Sequence, residues 1–132
     1  MKKAILFFAT IFVLGSAVAQ STESTNGPEI TFEESNHDFG DITQGDVVEH
    51  IFKFENTGKQ PLIISNVKTT CGCTVPSYPK GEAIAPGAKG EITVKFNSRG
   101  KMGRQNKVVR IVSNIGEERS VRITTNVLPK DS

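Results

Sequence analysis

The sequence predicts an all-β protein, an antiparallel β-sandwich of roughly seven to eight short strands. Apolar and polar residues alternate with a period of two along several segments, which is typical of half-buried strands. Gly, Pro and Asn, which favour turns, separate these segments at intervals of about ten residues. After the amino-terminal segment, no apolar pattern with helical spacing extends over about eleven positions. Because parallel sheets need crossover helices, we expect antiparallel pairing, with a small closed barrel as the alternative architecture.

The amino-terminal segment has the pattern of a cleavable secretory signal. Lys2 and Lys3 precede an apolar run over residues 4–14, and small residues follow it up to an A-x-A site before Gln20. A membrane-spanning helix needs ~20 apolar residues, and this run is shorter. We therefore expect residues 1–19 to be removed and the protein to be exported, to the periplasm or beyond, without a membrane span.

The remaining chain has the length of one domain. The full chain has 132 residues, so removal of the 19 signal residues leaves 113. We expect a short polar linker at residues 20–28, one β-sandwich domain at residues 29–128 and a tail at residues 129–132. Loss of two lysines with the signal leaves 14 basic and 14 acidic residues. An exported chain without net charge argues against nucleic acid as a partner.

The first half of the domain contains two alternating segments and one apolar run. EITFEES is the first strand, and VVEHIFKFENTG is the next, with Val48, His50, Phe52 and Phe54 on its inner face. A turn follows at residues 56–59, where Asn and Gly tolerate positive φ. The apolar run in QPLIISNVKTT predicts a more deeply buried strand, which leads directly to the first cysteine.

The second half predicts three further strands. A turn with Pro and Gly in AIAPGAKGEI precedes a strand over residues 91–97. The basic, glycine-rich segment NSRGKMGRQNK has no periodicity, so we expect a loop of about ten residues there. KVVRIVSN and SVRITTNVL then form a hairpin in which Val109 and Ile111 face Val121 and Ile123.

Several motifs in this order resemble one bacterial family. These are HDFGD near the start, an NTG turn, the CGCT segment and a PG turn before a strand. They resemble the domain-of-unknown-function family numbered fifteen seventy-three, and the resemblance covers about residues 30–128. It implies an immunoglobulin-like sandwich related to Hydin-type and major-sperm-protein-type domains, and no established activity. Its signature positions would be Asp38, Phe39, Gly40, Asn56, Gly58, Cys71, Cys73, Pro86 and Gly87.

Two of these motifs have sufficient structural explanations. The DFG of protein kinases binds magnesium, but this chain lacks the other kinase motifs, so we expect a buried Phe39 beside a turn at Gly40. We likewise expect Asn56 and Gly58 to form a turn rather than to bind a ligand.

Cys71 and Cys73 are the chain's two cysteines, and the sequence leaves their state open. Export favours a disulfide. In an extended strand, however, their α-carbons would lie about 6.5–7 Å apart, at or beyond the usual limit, so a bridge would need a bend at Gly72. The alternatives are structural thiols or a local bridge, a redox-responsive pair, a soft-metal site such as copper(I), and a bond to another molecule.

The sequence offers few further metal ligands. His37 and His50 could approach the cysteines only through the fold, and Met102 lies in the glycine-rich segment. A closed zinc site needs four ligands, so we expect no metal site and no cofactor.

The functional prediction is an exported, non-enzymatic binding or scaffolding module of the cell envelope. No serine-hydrolase, phosphate-loop, zinc-protease or dinucleotide motif occurs. The alternative is thiol redox chemistry or copper(I) handling by Cys71 and Cys73. The candidate partner contacts lie in the cysteine segment and in the glycine-rich segment: Thr74, Tyr78, Arg99, Lys101 and Arg104.

The second half of the domain also carries most of the positive charge. Residues 57–132 contain thirteen bases and five acids. Folding of the acidic first half onto this half would neutralise much of the charge, but a basic face toward an anionic partner is a second possibility. Its members would be Arg99, Lys101, Arg104, Lys107, Arg110, Arg119 and Arg122.

Overall fold

The computed structural model describes residues 26–131 and confirms an immunoglobulin-like β-sandwich. The predicted signal and most of the predicted linker lie outside the described residues. Residues 26–131 contain no helix, and so none that is long and apolar enough to cross a membrane. The nine strands are β1 (Ile30–Phe32), β2 (Asn36–Thr43), β3 (Val47–Asn56), β4 (Leu62–Thr69), β5 (Thr74–Ser77), β6 (Ala83–Ile84), β7 (Lys89–Asn97), β8 (Gly103–Ser113) and β9 (Arg119–Leu128).

The strands form two sheets packed face to face. The four-stranded sheet has the order β1-β3-β7-β5 and is antiparallel throughout. The five-stranded sheet has the order β2-β9-β8-β4-β6. One pair of strands departs from the expected antiparallel pairing, because β2 runs parallel to β9. No crossover helix is needed, since these two strands come from opposite ends of the domain and the strands between them provide the connection.

The core lies between the sheets and follows the predicted alternation. On β3, Phe52 and Phe54 are fully buried, while Lys53 between them is exposed. The predicted hairpin of β8 and β9 is confirmed, with Val109 directly opposite Val121. On β4 the prediction of a more deeply buried strand is wrong: Leu62 and Ile64 are buried but Ile63 is exposed. The reason is that the opposite sheet covers only one face of β4.

The glycine-rich segment is a shorter loop than predicted. β8 already begins at Gly103, which pairs with Val127 of β9, so only residues 98–102 connect β7 to β8. Gly103 has a φ of 74°, a conformation that glycine adopts without steric cost. The segment without apolar periodicity therefore includes the extended start of a strand.

The Asp38-Phe39-Gly40 motif forms an irregularity in β2 and has a structural role. The pairing with β9 shifts between Asp38 and Asp41, and Gly40 has a φ of 72°. The N–H of Gly40 donates to Oδ1 of Asp38 at 2.9 Å, and the hydroxyl of Thr125 donates to the carbonyl of Gly40 at 2.8 Å. Phe39 is half-buried and packs against the core, which is less burial than predicted.

Asn56 and Gly58 have a structural role in the NTG motif, as expected, although neither adopts the positive φ on which the turn prediction was based. The side chain of Asn56 is fully buried and donates to the carbonyls of Gln60 at 2.8 Å and Ile84 at 2.9 Å. Its Oδ1 accepts from the N–H groups of Gly58 at 3.0 Å and Glu29 at 3.3 Å. Asn56 thus joins the start of β1, the end of β3 and the short strand β6.

Candidate functional site

Cys71 and Cys73 form a disulfide in the turn between β4 and β5. Their α-carbons are 5.2 Å apart, within the range for a disulfide and shorter than in an extended strand. The N–H of Thr74 donates to the carbonyl of Cys71 at 3.1 Å, which closes the turn around Gly72. Of the alternatives that the sequence left open, the structure contains the local bridge.

Two neighbouring threonines and β7 hold this disulfide turn in place. The hydroxyl of Thr69 lies 3.2 Å from the carbonyl of Cys71 and 3.1 Å from that of Thr74. The N–H of Asn97 donates to the carbonyl of Cys73 at 2.9 Å. Cys73 also packs against the core. The disulfide turn is therefore attached to both neighbouring strands rather than projecting freely.

Beside this turn, the outer face of the four-stranded sheet exposes apolar side chains. Val47 of β3 is 55% exposed and Val75 of β5 is 57% exposed. Both line a shallow groove of about 550 Å³ that also includes Gly72, Cys73, Lys95, Asn97 and Arg99. Farther along β3, Ile51 is 43% exposed on the same face. We call Val47, Val75 and the groove between them the disulfide-side groove.

The predicted contact residues are only partly brought together. Arg99 reaches the disulfide-side groove, so the two segments predicted to contact a partner do meet there. Thr74 is only 3% exposed, so it stabilises the turn and does not lie on the surface. Tyr78 is half-buried and packs against the core, and Lys101 is half-buried.

Arg104 lies at the start of β8, in the other sheet. Its guanidinium is 3.7 Å from the carboxylate of Asp38. The hydrogen bond from the N–H of Gly40 lowers the pKa of Asp38, and the charge of Arg104 lowers it further. Arg104 is thus separated from the disulfide-side groove and partly neutralised.

Ser98 has a structural role in this region that is not apparent from the sequence. Its hydroxyl is buried and donates to the carbonyl of Asp46 at 2.7 Å and lies 3.2 Å from that of Thr43. These bonds attach the loop at residues 98–102 to the turn before β3. Val47 is the first residue of β3. A serine directly after a strand gives no sequence signal for such a contact, because its partner depends on the sheet arrangement.

Ion pairs with acidic residues neutralise part of the predicted basic face. Arg119 lies 3.1 Å from the carboxylate of Glu29 and 3.0 Å from that of Glu117, and these hydrogen bonds raise its pKa. Arg110 and Arg122 are exposed on the five-stranded sheet. The first half of the chain therefore neutralises part of the second, as expected from charge alone.

The two histidines do not approach the disulfide. Neither lines the disulfide-side groove, and they stack on each other at the edge of the sandwich beside Glu34. Met102 is exposed in the loop before β8. The sequence suggested these residues only as additional ligands of a metal ion bound by the cysteines. The structure does not place them near the cysteines.

Comparison with known proteins identifies a family and a fold. The family model described as "Protein of unknown function (DUF1573)" matches residues 30–127. A search of curated proteins finds no match.

Solved structures share the fold at low sequence identity. A protein of unknown function from Porphyromonas gingivalis W83 has a TM-score of 0.66 and 14% identity, over 78% of this chain and 48% of that one. The secreted serine protease VesC of Vibrio cholerae has a TM-score of 0.58 and 14% identity, over 83% of this chain and 25% of that one. This chain thus spans about half or less of these two proteins.

A third similar structure is a single domain. PapD-like domain 7 of human CEP192 has a TM-score of 0.64 and 10% identity, over 99% of both chains. At these identities the structures show an immunoglobulin-like fold of the PapD type and do not indicate an activity.

Proposed function

The chain belongs to the DUF1573 family of proteins of unknown function, and from this premise we propose that it is an exported, non-enzymatic module that binds another protein of the cell envelope. The amino-terminal pattern of two lysines, an apolar run and small residues supports export. The local disulfide is compatible with an oxidising compartment.

The single observation that carries the proposed binding function is the disulfide-side groove. An isolated exposed apolar residue is ordinary on a protein surface, but Val47 and Val75 line one groove together. The disulfide turn forms one wall of this groove, and Ser98 holds the loop with Arg99 beside it. Such a preorganised surface loses little conformational entropy on binding.

The face of the sheet, rather than its edge, is the better contact surface. β5 is an edge strand, but it has only four residues and contains Pro76, which has no N–H. Short length and proline are features by which edge strands resist the addition of another strand. We therefore place the partner on the outer face, across the ends of β3, β7 and β5.

The charges around the groove indicate the chemistry of the partner. Lys95 and Arg99 line the same groove as Val75, and Glu49 lies 3.9 Å from Lys95 as an exposed ion pair. An exposed pair of this kind is weak, so Lys95 remains available to another carboxylate. The partner that fits is a protein surface with an apolar centre and acidic residues at its rim.

No observation favours the alternative of thiol redox chemistry or copper(I) handling. Both sulfurs are bonded to each other, so neither is a thiolate that could bind copper(I). Among residues 26–131 there is no helix whose amino terminus could lower a thiol pKa.

The proposed function is tested by chemical crosslinking in the envelope fraction. Wild-type protein should give a discrete adduct with a protein that mass spectrometry can identify. The double variant Val47→Glu, Val75→Glu should lose this adduct, because two carboxylates would face an apolar and acidic surface. Both positions are exposed, so the variant should remain folded.

Ser120→Glu is the matched control, since Ser120 is exposed on β9 in the opposite sheet. It adds a carboxylate without changing the groove and should retain the adduct. Persistence of the adduct in the double variant, or turnover of a substrate by the purified protein in the absence of any adduct, would contradict the proposal.

A further inference from the structure

At the edge of the sandwich, Glu34, His37 and His50 form a cluster that spans the two sheets. Glu34 lies between β1 and β2, where the chain passes from the four-stranded to the five-stranded sheet. His37 is on β2 and His50 is on β3, so the histidines belong to different sheets. One potential ligand atom from each of the three side chains lies within 4.8 Å of the other two.

The carboxylate of Glu34 lies against both histidines of this cluster. Nε2 of His50 is buried and contacts Oε1 of Glu34. Nδ1 of His37 lies 3.5 Å from the same carboxylate oxygen. Two imidazole nitrogens therefore approach one carboxylate oxygen.

One phenylalanine ring packs closely against each imidazole ring. The ring of Phe39 packs edge-on against His37 with centroids 4.6 Å apart, and that of Phe52 packs edge-on against His50 at 4.7 Å. Phe52 belongs to the core and is fully buried. An apolar wall of this kind restricts solvent at a metal site and strengthens the interaction of charges within it.

From these contacts we propose that Glu34, His37 and His50 bind a divalent transition-metal ion of the zinc type. Two imidazole nitrogens and one carboxylate oxygen are a ligand set that such ions accept, with a further position left for water. Hard ions such as Mg²⁺ prefer oxygen ligands and should not bind. This site is separate from the disulfide-side groove and does not depend on the proposed binding function.

Metal binding requires a small change in the stacked rings. The two imidazoles lie parallel, with centroids 3.6 Å apart and planes inclined by 7°. An imidazole lone pair lies in the plane of its ring, so the lone pairs of two stacked rings lie in separate parallel planes and do not converge on one ion. One ring therefore has to turn. The side chain of His37 is 29% exposed on an edge strand, and the final torsion of a histidine side chain has broad minima.

The distances also permit a shared ion. Two bonds of ~2.0–2.1 Å place ligand atoms at most about 4.2 Å apart. The separation of up to 4.8 Å therefore needs only side-chain adjustment. The bound ion would connect β2 of one sheet to β3 of the other, at the edge where β1 is too short to cover the first part of β3.

Isothermal titration of tag-free protein with zinc chloride tests this site. We expect one ion per chain, and magnesium chloride should give no binding. Glu34→Gln and His37→Gln should each weaken zinc binding by about 100-fold or more, because loss of a ligand costs at least as much as loss of its supporting groups. Glu33→Gln is the matched control: it removes the neighbouring exposed carboxylate and should leave zinc affinity unchanged.

A double variant Cys71→Ser, Cys73→Ser should also bind zinc normally, which separates this site from the cysteines. Nitrogen-15 NMR of the imidazoles needs only the wild-type protein, so unfolding of a variant cannot affect the result. Zinc should shift one ring nitrogen of His37 and Nε2 of His50. Absence of zinc binding by the wild type, binding that survives Glu34→Gln and His37→Gln, or imidazole resonances that zinc leaves unchanged would each overturn the proposal.

Discussion

Replacement of Asn56 by alanine should be among the most destabilising single substitutions in this domain. The change removes four side-chain hydrogen bonds, to the carbonyls of Gln60 and Ile84 and from the N–H groups of Gly58 and Glu29. Alanine leaves these backbone groups without their partner, and the bond to Ile84 is the buried one. The other three lie near solvent, so water can replace part of their loss.

The magnitude follows from the individual bonds. A typical protein hydrogen bond contributes about 1 kcal/mol net, and a buried group left unpaired costs about 1–3 kcal/mol. The bond from Glu29 is the longest at 3.3 Å and should contribute least. We expect a loss of about 3–5 kcal/mol in the free energy of unfolding, a large part of the ~5–15 kcal/mol of an ordinary domain.

Urea denaturation followed by circular dichroism measures this loss. Asn106→Ala is the matched control, because Asn106 is exposed on β8, and it should change the free energy of unfolding by about 0.5 kcal/mol or less. A loss below about 1 kcal/mol for Asn56→Ala would refute the assignment of these hydrogen bonds to the stability of the fold.

Three further predictions concern the signature motifs. Gly58→Ala should destabilise the domain by about 1–3 kcal/mol, since its Cβ would lie 2.3 Å from the carbonyl oxygen of Gly27; an unchanged urea midpoint would contradict this. The double variant Cys71→Ser, Cys73→Ser should lose only about 2 kcal/mol or less, because the closed loop is very short; a much larger loss would show that the bridge supports the whole sandwich. The lowered pKa of Asp38 stabilises the fold at pH values above the ordinary carboxyl pKa, and this stabilisation is lost as the pH falls through the lowered pKa. Asp38→Asn should therefore lose less stability on acidification than the wild type. Melting temperatures at pH 7 and pH 3 measure this, and an equal loss in both proteins would disprove it.

The sequence alone was sufficient to predict strands that have one buried face and one exposed face. On β3 and β7 the buried side chains alternate with exposed ones, so the period of two was visible without the structure. β2 could not be predicted in this way, because it is an edge strand with one buried residue, Ile42, and an irregularity at Gly40. Its parallel pairing with β9 joins opposite ends of the domain, and no local pattern reports such pairing.

The candidate sites depended still more on long-range packing. The sequence identified Cys71 and Cys73 as candidate site residues. It did not predict whether they form a disulfide, because that depends on the bend at Gly72. It placed His50 on the inner face of its strand, which was a usable signal for a half-buried imidazole. Contact of His50 with His37 requires the packing of two sheets, and nothing in their spacing of thirteen positions indicates it.

The central claim, that the outer face beside the disulfide binds another protein of the envelope, is most directly tested by photocrosslinking in intact cells. A photoreactive amino acid at position 75, in the disulfide-side groove, should give one discrete adduct with an envelope protein. The same amino acid at position 120, on the opposite sheet, should give no such adduct. An adduct from position 120 alone, equal adducts from both positions, or none from either would contradict the account.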